Sequence, residues 1–441
     1  EGMRYPIQKS GQEWSHEVCI LKMLPFFSQD NVPTRPKTRK TLLKAMVILL
    51  VVVFSFQPEI LTAEKGLPCL DRITATDALV IQDPEGKILY KKNEGKKCIP
   101  ASTLKVLTAL AAIENFGLPY QFKTEFYLDR NRNLKVKGFG DPLLISEVLR
   151  NIASSLSTRV SHFNNLVLDD TYFTSPILIP GREHSTNPYD APPGALSANF
   201  NTVAFERNRE GNIVSSESQT PMIPFAEERI RRLNLRKGRY TFIHDTHETT
   251  LYTGELLRHF LIERGVSTEG NVMLGKIDAK DRCIYIFHSP FTLEEGIEKM
   301  LRFSNNYMAN QIMLVLGASR FGPPGNLEKG VRALAEFASN DLGLSHVKLV
   351  EGSGISRGNR ISALDMLIVL NRFKPYRHLL KKNDMEFFKT GSLRGVRTRA
   401  GYLEGNATGP YAFVVNFNRA GSDMDGVMDC IKKTLGTSIS P

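Results

Sequence analysis

Ala78–Asp83 (ALVIQD) is an apolar run of strand length, Pro84-Glu85-Gly86 is a turn, and Lys87–Lys91 (KILYK) returns, so these pieces predict a β-hairpin. Pro100 stands where a helix entry needs no N–H. After it Val106, Leu107, Leu110, Ile113 and Phe116 recur at helical spacing until Gly117 ends the run. From Phe122 to Phe287 the pattern shortens. Glu125–Leu128, Leu134–Gly138, Leu166–Asp169, Asn201–Glu206 and Arg239–His244 are strand-like runs between turn-rich pieces such as Asn187–Gly194, with Gly254–Arg264 as a helix. Helical periodicity returns over Thr292–Leu301, Ser304–Gly317, Leu327–Leu342 and Ser362–Phe373. Phe387–Lys389, Arg397–Leu403 and Tyr411–Asn418 predict three successive strands, followed by a helix from Met424. The pattern therefore divides into a mixed α/β body, residues 64–119 and 288–441, and a mainly β insertion at 120–287.

One apolar run fits neither part. Ala45–Phe56 follows Arg35, Lys37, Arg39, Lys40 and Lys44 and precedes the small residue Ala63, the layout of a secretory signal. It is shorter than the roughly 20 residues of a spanning helix. Residues 1–63 are read as a leader cleaved near Ala63, with an uncleaved N-terminal anchor as the alternative, and residues 1–34 as an extension outside the fold. Pro68 before Cys69 breaks a lipoprotein box.

Composition narrows the classes. With 41% hydrophobic and 23% charged residues among 441, the chain is globular, of a length for two or three domains. Its net charge of +11 is spread along the sequence, which gives nucleic-acid binding little support; an anionic membrane or cell-wall polymer accounts for it equally well. Beyond the leader lie Cys69, Cys98, Cys283 and Cys430, which in an exported protein can pair in three ways. Cys69 and Cys98 flank the predicted hairpin, which favours that bridge; four unpaired thiols is the competing reading. No C-x-x-C occurs, and His244 and His247 have no cysteine near, so no metal site is expected.

The chemistry-bearing residues are short motifs. Ser102 and Lys105 fall on one face of a helix's first turn, where the amine can reach the hydroxyl and act as its base if burial or a second cation lowers its pKa. Ser304 and Asn306 open a later helix. Lys389-Thr390-Gly391-Ser392 lies on a predicted strand, offering a cation, hydroxyls and an approachable backbone to a carboxylate. Each pattern alone is cheap: Ser345/Lys348 repeats the first, while Ser185/Asn187 and Ser197/Asn199 repeat the second. Their order and element contexts are not cheap. Ser-x-x-Lys on a helix, Ser-x-Asn opening a helix and Lys-Thr-Gly on a strand form the signature of penicillin-binding proteins and serine β-lactamases.

The long gap between Ser102 and Ser304 resembles the low-molecular-mass class C penicillin-binding proteins, the D-alanyl-D-alanine carboxypeptidase/endopeptidase family. So do PASTLKVLTALAAIENFG at Pro100, KGFGDPLL at Lys137, LVLDDTYF at Leu166, APPGALSANFN at Ala191, EGSGISRGNRISA at Glu351 and FFKTGSLRGVRTRAGYL at Phe387. The insertion is shorter than in the larger members, and Glu351 stands where an aspartate is usual. The resemblance implies an α/β (α+β) penicillin-recognising domain, its antiparallel sheet flanked by helices. It implies a periplasmic serine D-Ala-D-Ala carboxypeptidase, with endopeptidase activity a further outcome, acting on peptidoglycan stem peptides and acylated by β-lactam antibiotics. No cofactor is implied, and a peripheral association with the membrane fits. Ser102 is then the nucleophile, Lys105 its base, Ser304 and Lys389 the relay to the leaving amine, and Asn306 the group orienting lysine and substrate. Thr390, Gly391 and Ser392 hold the substrate carboxylate and oxyanion, and Asp169 receives the amine of the stem peptide's third residue, unless it is merely a turn aspartate. The rival readings are a serine β-lactamase and a non-catalytic cell-wall binding protein of the same fold.

Overall fold

The computed structural model describes residues 66–404 and 409–436, which all belong to one compact unit. The leader assigned to residues 1–63 lies outside the described residues.

A six-stranded antiparallel sheet forms the body. In spatial order it runs β11 (Lys381–Asn383), β12 (Glu386–Leu393), β13 (Val396–Leu403), β14 (Tyr411–Phe417), β1 (Ala78–Gln82) and β2 (Ile88–Lys92). Every residue of β1 is buried, because the strand sits between β14 and β2 with both faces covered. Alternation feeds two cores. Ala78 and Val80 share a core with α1 (Lys105–Phe116), α5 (Leu293–Arg302), α6 (Asn306–Phe321), α7 (Leu327–Glu336) and α8 (Ala363–Phe373), while Leu79 and Ile81 face α9 (Met424–Thr434). Helix α6 is buried along Tyr307–Ala318, and so reads as apolar on every side. Asn305 caps it by accepting from the Met308 N–H, and α5 begins with a reciprocal Thr292/Glu295 capping box.

The insertion builds its own core around Phe126, Val136, Ile152, Leu168, Leu256 and Phe260. Its five-stranded sheet has the order β10 (Arg282–Thr292), β3 (Gln121–Leu128), β4 (Leu134–Gly138), β5 (Leu166–Asp169) and β9 (Val272–Leu274), with β4, β5 and β9 parallel. A small sheet carries β7 (Ile213–Ser215), β6 (Val203–Arg207) and β8 (Gly238–Tyr240). The insertion holds more helix than its turn-rich texture predicts: α2 (Ser146–Ser157), α3 (Pro224–Arg232) and α4 (Thr246–Glu263). Helix α2 is hidden in sequence by its serines; Val148, Leu149, Ile152, Ala153 and Leu156 bury one stripe against α4. The expected strand over Arg239–His244 shrinks to β8, and β10 runs through the boundary drawn at residue 288.

Hydrogen bonds tie the insertion to α6. Gln311 exchanges hydrogen bonds with the Gly194 backbone (2.7 and 3.2 Å), and the Tyr307 hydroxyl donates to the Ser197 carbonyl. The body is clasped differently from the expectation. Cys69 is bonded not to Cys98 but to Cys430 on α9, with Cα atoms 6.2 Å apart. The hairpin cannot make the expected bridge because Cys98 turns inward to pair its backbone with Ile361; it stays a buried free thiol, and Cys283 an exposed one.

Candidate active site

Ser102 sits in a short 3₁₀ turn, Ala101–Leu104, that runs straight into α1. Ala101 before it has φ 47°, a left-handed conformation that costs a non-glycine residue energy and is held here by packing. Two glycines close on that turn. A Cβ on Gly391 of β12 would stand 2.7 Å from the Ser102 nitrogen, 2.9 Å from the Ala101 Cβ and 2.4 Å from Thr398 Oγ1; one on Gly354 would stand 1.8 Å from the Ala101 carbonyl oxygen. Only hydrogen fits at either place.

Lys105 is fully buried, and its Nζ reaches three oxygens: Ser102 Oγ at 2.9 Å, Asn306 Oδ1 at 2.8 Å and the Ser353 carbonyl at 2.7 Å. Burial above all, and then the Lys389 charge, push its pKa well below that of an ordinary lysine, while Glu351 acts in the opposite sense. A neutral amine has two N–H donors and one lone pair. Asn306 Oδ1 and the Ser353 carbonyl can only accept, so they take both donors and leave the lone pair for the Ser102 hydroxyl proton. The orientation of Asn306 is fixed from the insertion, because its Nδ2 donates to the Tyr189 carbonyl (3.2 Å).

The Ser353 carbonyl is itself held by a buried carboxylate. Glu351 accepts from the backbone N–H groups of Ser353, Gly354 and Ser356, from the Ser353 hydroxyl and from Asn359 Nδ2. Glu351, Ser353 and Tyr189 are the site residues that motif reasoning misses. Glu351 is visible only as a substituted residue of a family segment, not as an anchor of the Lys105 seat, and Ser353 and Tyr189 act through backbone carbonyls that no residue type marks.

Ser304 occupies the turn between α5 and α6 with φ 55°, after Ala101 a second non-glycine residue of the site in the left-handed region. Lys389 Nζ donates to its Oγ at 2.8 Å and to the Thr390 carbonyl at 2.7 Å. Burial, helped by the charge of Lys381, lowers the Lys389 pKa to about 8. Strand alternation sends Lys389 and Gly391 towards the serines and leaves Thr390 and Ser392 exposed. Strand β11 pairs only with Glu386–Phe388, so from Lys389 onward that edge of β12 is open.

The arrangement therefore gathers Ser102, Lys105, Ser304, Asn306 and Lys389–Ser392. Asp169 is not brought to it. Its carboxylate is 1% exposed, accepts from the Thr171 N–H and hydroxyl and from the Ile277 N–H, and lies 3.7 Å from Lys137. Its carboxylate is engaged by these internal partners, as a turn aspartate's would be. The repeated patterns fall away too. Ser345 pairs with His346 while Lys348 bridges Arg360, Ser185 serves Asp190, and Asn199 accepts from the Ser146 N–H at the start of α2.

A cavity of about 690 Å³ adjoins Ser304–Asn306, walled by Tyr189, Phe200, Phe303, Glu147 and Lys299 among others. Insertion and body thus share the walls of one cleft.

Comparison with known proteins identifies the family. The family described as D-Ala-D-Ala carboxypeptidase 3 (S13) matches residues 69–234 and 233–386, ending just short of Lys389. A D-alanyl-D-alanine carboxypeptidase of Actinomadura sp. (strain R39) is 26% identical, over 81% of this chain and 80% of its own. The crystal structure of penicillin binding protein 4 (dacB) from Haemophilus influenzae superposes with a TM-score of 0.66 at 20% identity, covering 83% of this chain and 97% of that one. The same protein complexed with a β-lactam gives 0.62 at 19% identity, with the same coverage. The likeness extends over the insertion as well as the body, and on the extent of the family match the chain belongs to the D-Ala-D-Ala carboxypeptidase 3 (S13) family.

Proposed function

We propose that this protein is a serine D-alanyl-D-alanine carboxypeptidase that cleaves peptidoglycan stem peptides through an acyl-enzyme on Ser102. The observation that carries the reading is the three-way seat of Lys105, which aims a lone pair at the Ser102 hydroxyl. Lys105 takes the hydroxyl proton as Ser102 Oγ bonds to the carbonyl carbon between the two D-alanines. The negative oxygen that develops lies near the Ser102 N–H and the open edge of β12, where a donor is typically worth about 3 kcal/mol. When the C–N bond breaks, Ser304 passes a proton to the leaving amine and is resupplied from Lys389, whose Nζ donates to its hydroxyl. Water then splits the ester and frees Ser102. Thr390 and Ser392 are placed to grip the substrate carboxylate. A β-lactam enters the same way, its ring amide standing for the peptide bond.

A place outside the cytoplasm belongs to this reading. The substrate is there, and a disulfide such as Cys69–Cys430 persists in oxidising compartments. Peripheral association with the membrane through the net positive charge fits the same location.

Intact mass spectrometry after benzylpenicillin should show one covalent adduct, mapped to Ser102. Ser102→Ala should abolish it, while Ser345→Ala should leave it in place. An adduct that persists in Ser102→Ala would refute the assignment.

A further inference from the structure

The insertion sends an arm, residues 171–195, onto the body. Phe173, Ile177, Ile179, Ala191 and Ala195 of this arm are buried in the body's core and not in the insertion's. At Gly181 the two backbones come so close that a Cβ would stand 2.6 Å from the Ser356 Cα. Between these anchors the chain loops out over residues 182–190. That loop carries Tyr189, whose carbonyl takes the Asn306 Nδ2 donor. Polar contacts fix it. Asp190, 1% exposed, accepts from the Glu183 N–H at 3.0 Å and from the Ser185 hydroxyl. Arg182 Nη1 donates to the Asp190 carbonyl and to His244 Nδ1, each at 3.2 Å.

His244 belongs to the segment between β8 and α4, which is itself fastened: Asn201 Nδ2 donates to the Ile243 carbonyl at 2.9 Å, and the Thr241 N–H to the Thr186 carbonyl at 3.1 Å. Arg182 therefore ties the residue next to Tyr189 to a fixed frame. Its Nε is buried with no hydrogen-bond partner among the described residues. Such orphan donors are rare because they cost stability. Stability gives no reason to keep this one, whereas the placing of Nη1 between two acceptors does. An arginine nitrogen can only donate, so the His244 nitrogen facing it holds a lone pair, which Nδ1 has only in a neutral ring. Burial first, then the charges of Arg182 and His184, keep the His244 pKa below that of an ordinary histidine; the Asp190 charge and a backbone hydrogen bond with Ser185 act in the opposite sense. Once protonated, the ring would turn a donor and a second positive charge towards Arg182.

We infer that Arg182 and His244 are positioning residues: they fix the loop that holds the Tyr189 carbonyl, the carbonyl orients Asn306, and Asn306 sets the seat of Lys105. The inference rests on the function proposed above, and extends the machinery that prepares the base into the insertion. Acylation of Ser102 then depends on a neutral His244, several contacts away from the reacting atoms.

The test is a double-mutant cycle in the full protein, read as the second-order rate of Ser102 acylation by benzylpenicillin at neutral pH. Arg182→Ala should lower that rate about tenfold or more, the scale of a small misplacement passed on to a reacting group. In an Asn306→Ala background the same change should cost less than about twofold, because the route it acts through is gone. Equal loss in both backgrounds would overturn the inference, since a merely structural role for Arg182 adds to the loss of Asn306; so would a loss below about twofold in the parent protein. Arg182→Lys should recover part of the rate, having charge and a donor for one acceptor. His244→Asn keeps an acceptor close to the place of Nδ1 and does not titrate. Its rate should match wild type at neutral pH and exceed it increasingly in acid, a ratio from which the titrations of Lys105 and His184, common to both proteins, cancel. A ratio that stays constant from about pH 7 down to about pH 5 would overturn the part of His244. If Arg182→Ala does not fold, Arg182→Gln carries the same cycle. Wild-type protein that takes up no penicillin on Ser102 would sink the functional reading itself, whereas a normal adduct with additive losses would sink only the role of Arg182.

Discussion

Gly391→Ala isolates how closely β12 must approach the nucleophile. The added methyl would stand 2.7 Å from the Ser102 nitrogen and 2.4 Å from Thr398 Oγ1, where ordinary contact begins near 3.4 Å. The strand must then retreat from the turn by about 0.7–1 Å, or the Ala101–Ser102 turn must shift by as much. Overpacking of this kind costs roughly 1–3 kcal/mol. Catalysis should suffer more than stability, since the retreat pulls the β12 edge away from the Ser102 N–H, and one oxyanion donor out of place costs about 10²–10³ in rate. The second-order rate of acylation by a fluorescent penicillin should therefore fall about a hundredfold or more, while the Tm drops by only several degrees. Gly95→Ala, where a methyl meets nothing within 4 Å, serves as the silent control. Acylation by Gly391→Ala within threefold of wild type, at an unchanged Tm, would refute the claim that hydrogen alone fits there.

Two further outcomes follow from charge and from the covalent clasp. Acylation needs Lys105 without its proton and Lys389 with it, so the rate should rise with pH as Lys105 deprotonates and fall near pH 8 as Lys389 does. Because the Lys381 charge helps depress Lys389, Lys381→Ala should move that alkaline limb upward, and a pH–rate profile with an unmoved limb would contradict the assignment. Cys430→Ala should lower stability by about 2–5 kcal/mol, the usual cost of losing a native disulfide, as measured by denaturant unfolding under non-reducing conditions. Penicillin labelling at 25 °C should survive the change, since neither cysteine is among the residues around Ser102 and Lys105.

What the sequence made legible was whatever local pattern controls. The Ala78–Lys91 hairpin, the helix after Pro100 and the last three strands are runs whose own periodicity decides their state. The three motifs could be read because each places two or three reacting groups within one turn or one strand. Glu351 was visible as a substituted family residue, but its work of fastening the loop that holds Lys105 depends on five donors folded around it. Tyr189 acts through its carbonyl, which any residue would supply, so its identity carries no signal. Asp169 shows the converse: a carboxylate ending a strand looks available in sequence until Ile277 and Thr171 are folded onto it. The Cys69–Cys430 bond joins residues 361 positions apart, a distance that spacing cannot address.

The place of β1 between β14 and β2 has a consequence for how the protein comes into being. Strand β1, which precedes the nucleophile helix, completes its pairing only with β14, one of the last strands of the chain, and Gly391 and Lys389 also arrive late. Contacts of such long range make folding slow and withhold their reward until the loops between them are closed. A chain emerging from the ribosome or through a membrane can order the insertion's own core while the serine still lacks its second lysine and the strand edge beside it. Catalytic competence is in this sense a terminal event of synthesis. A chain stopped between α1 and β12 carries an intact Ser-x-x-Lys pair and no means of using it.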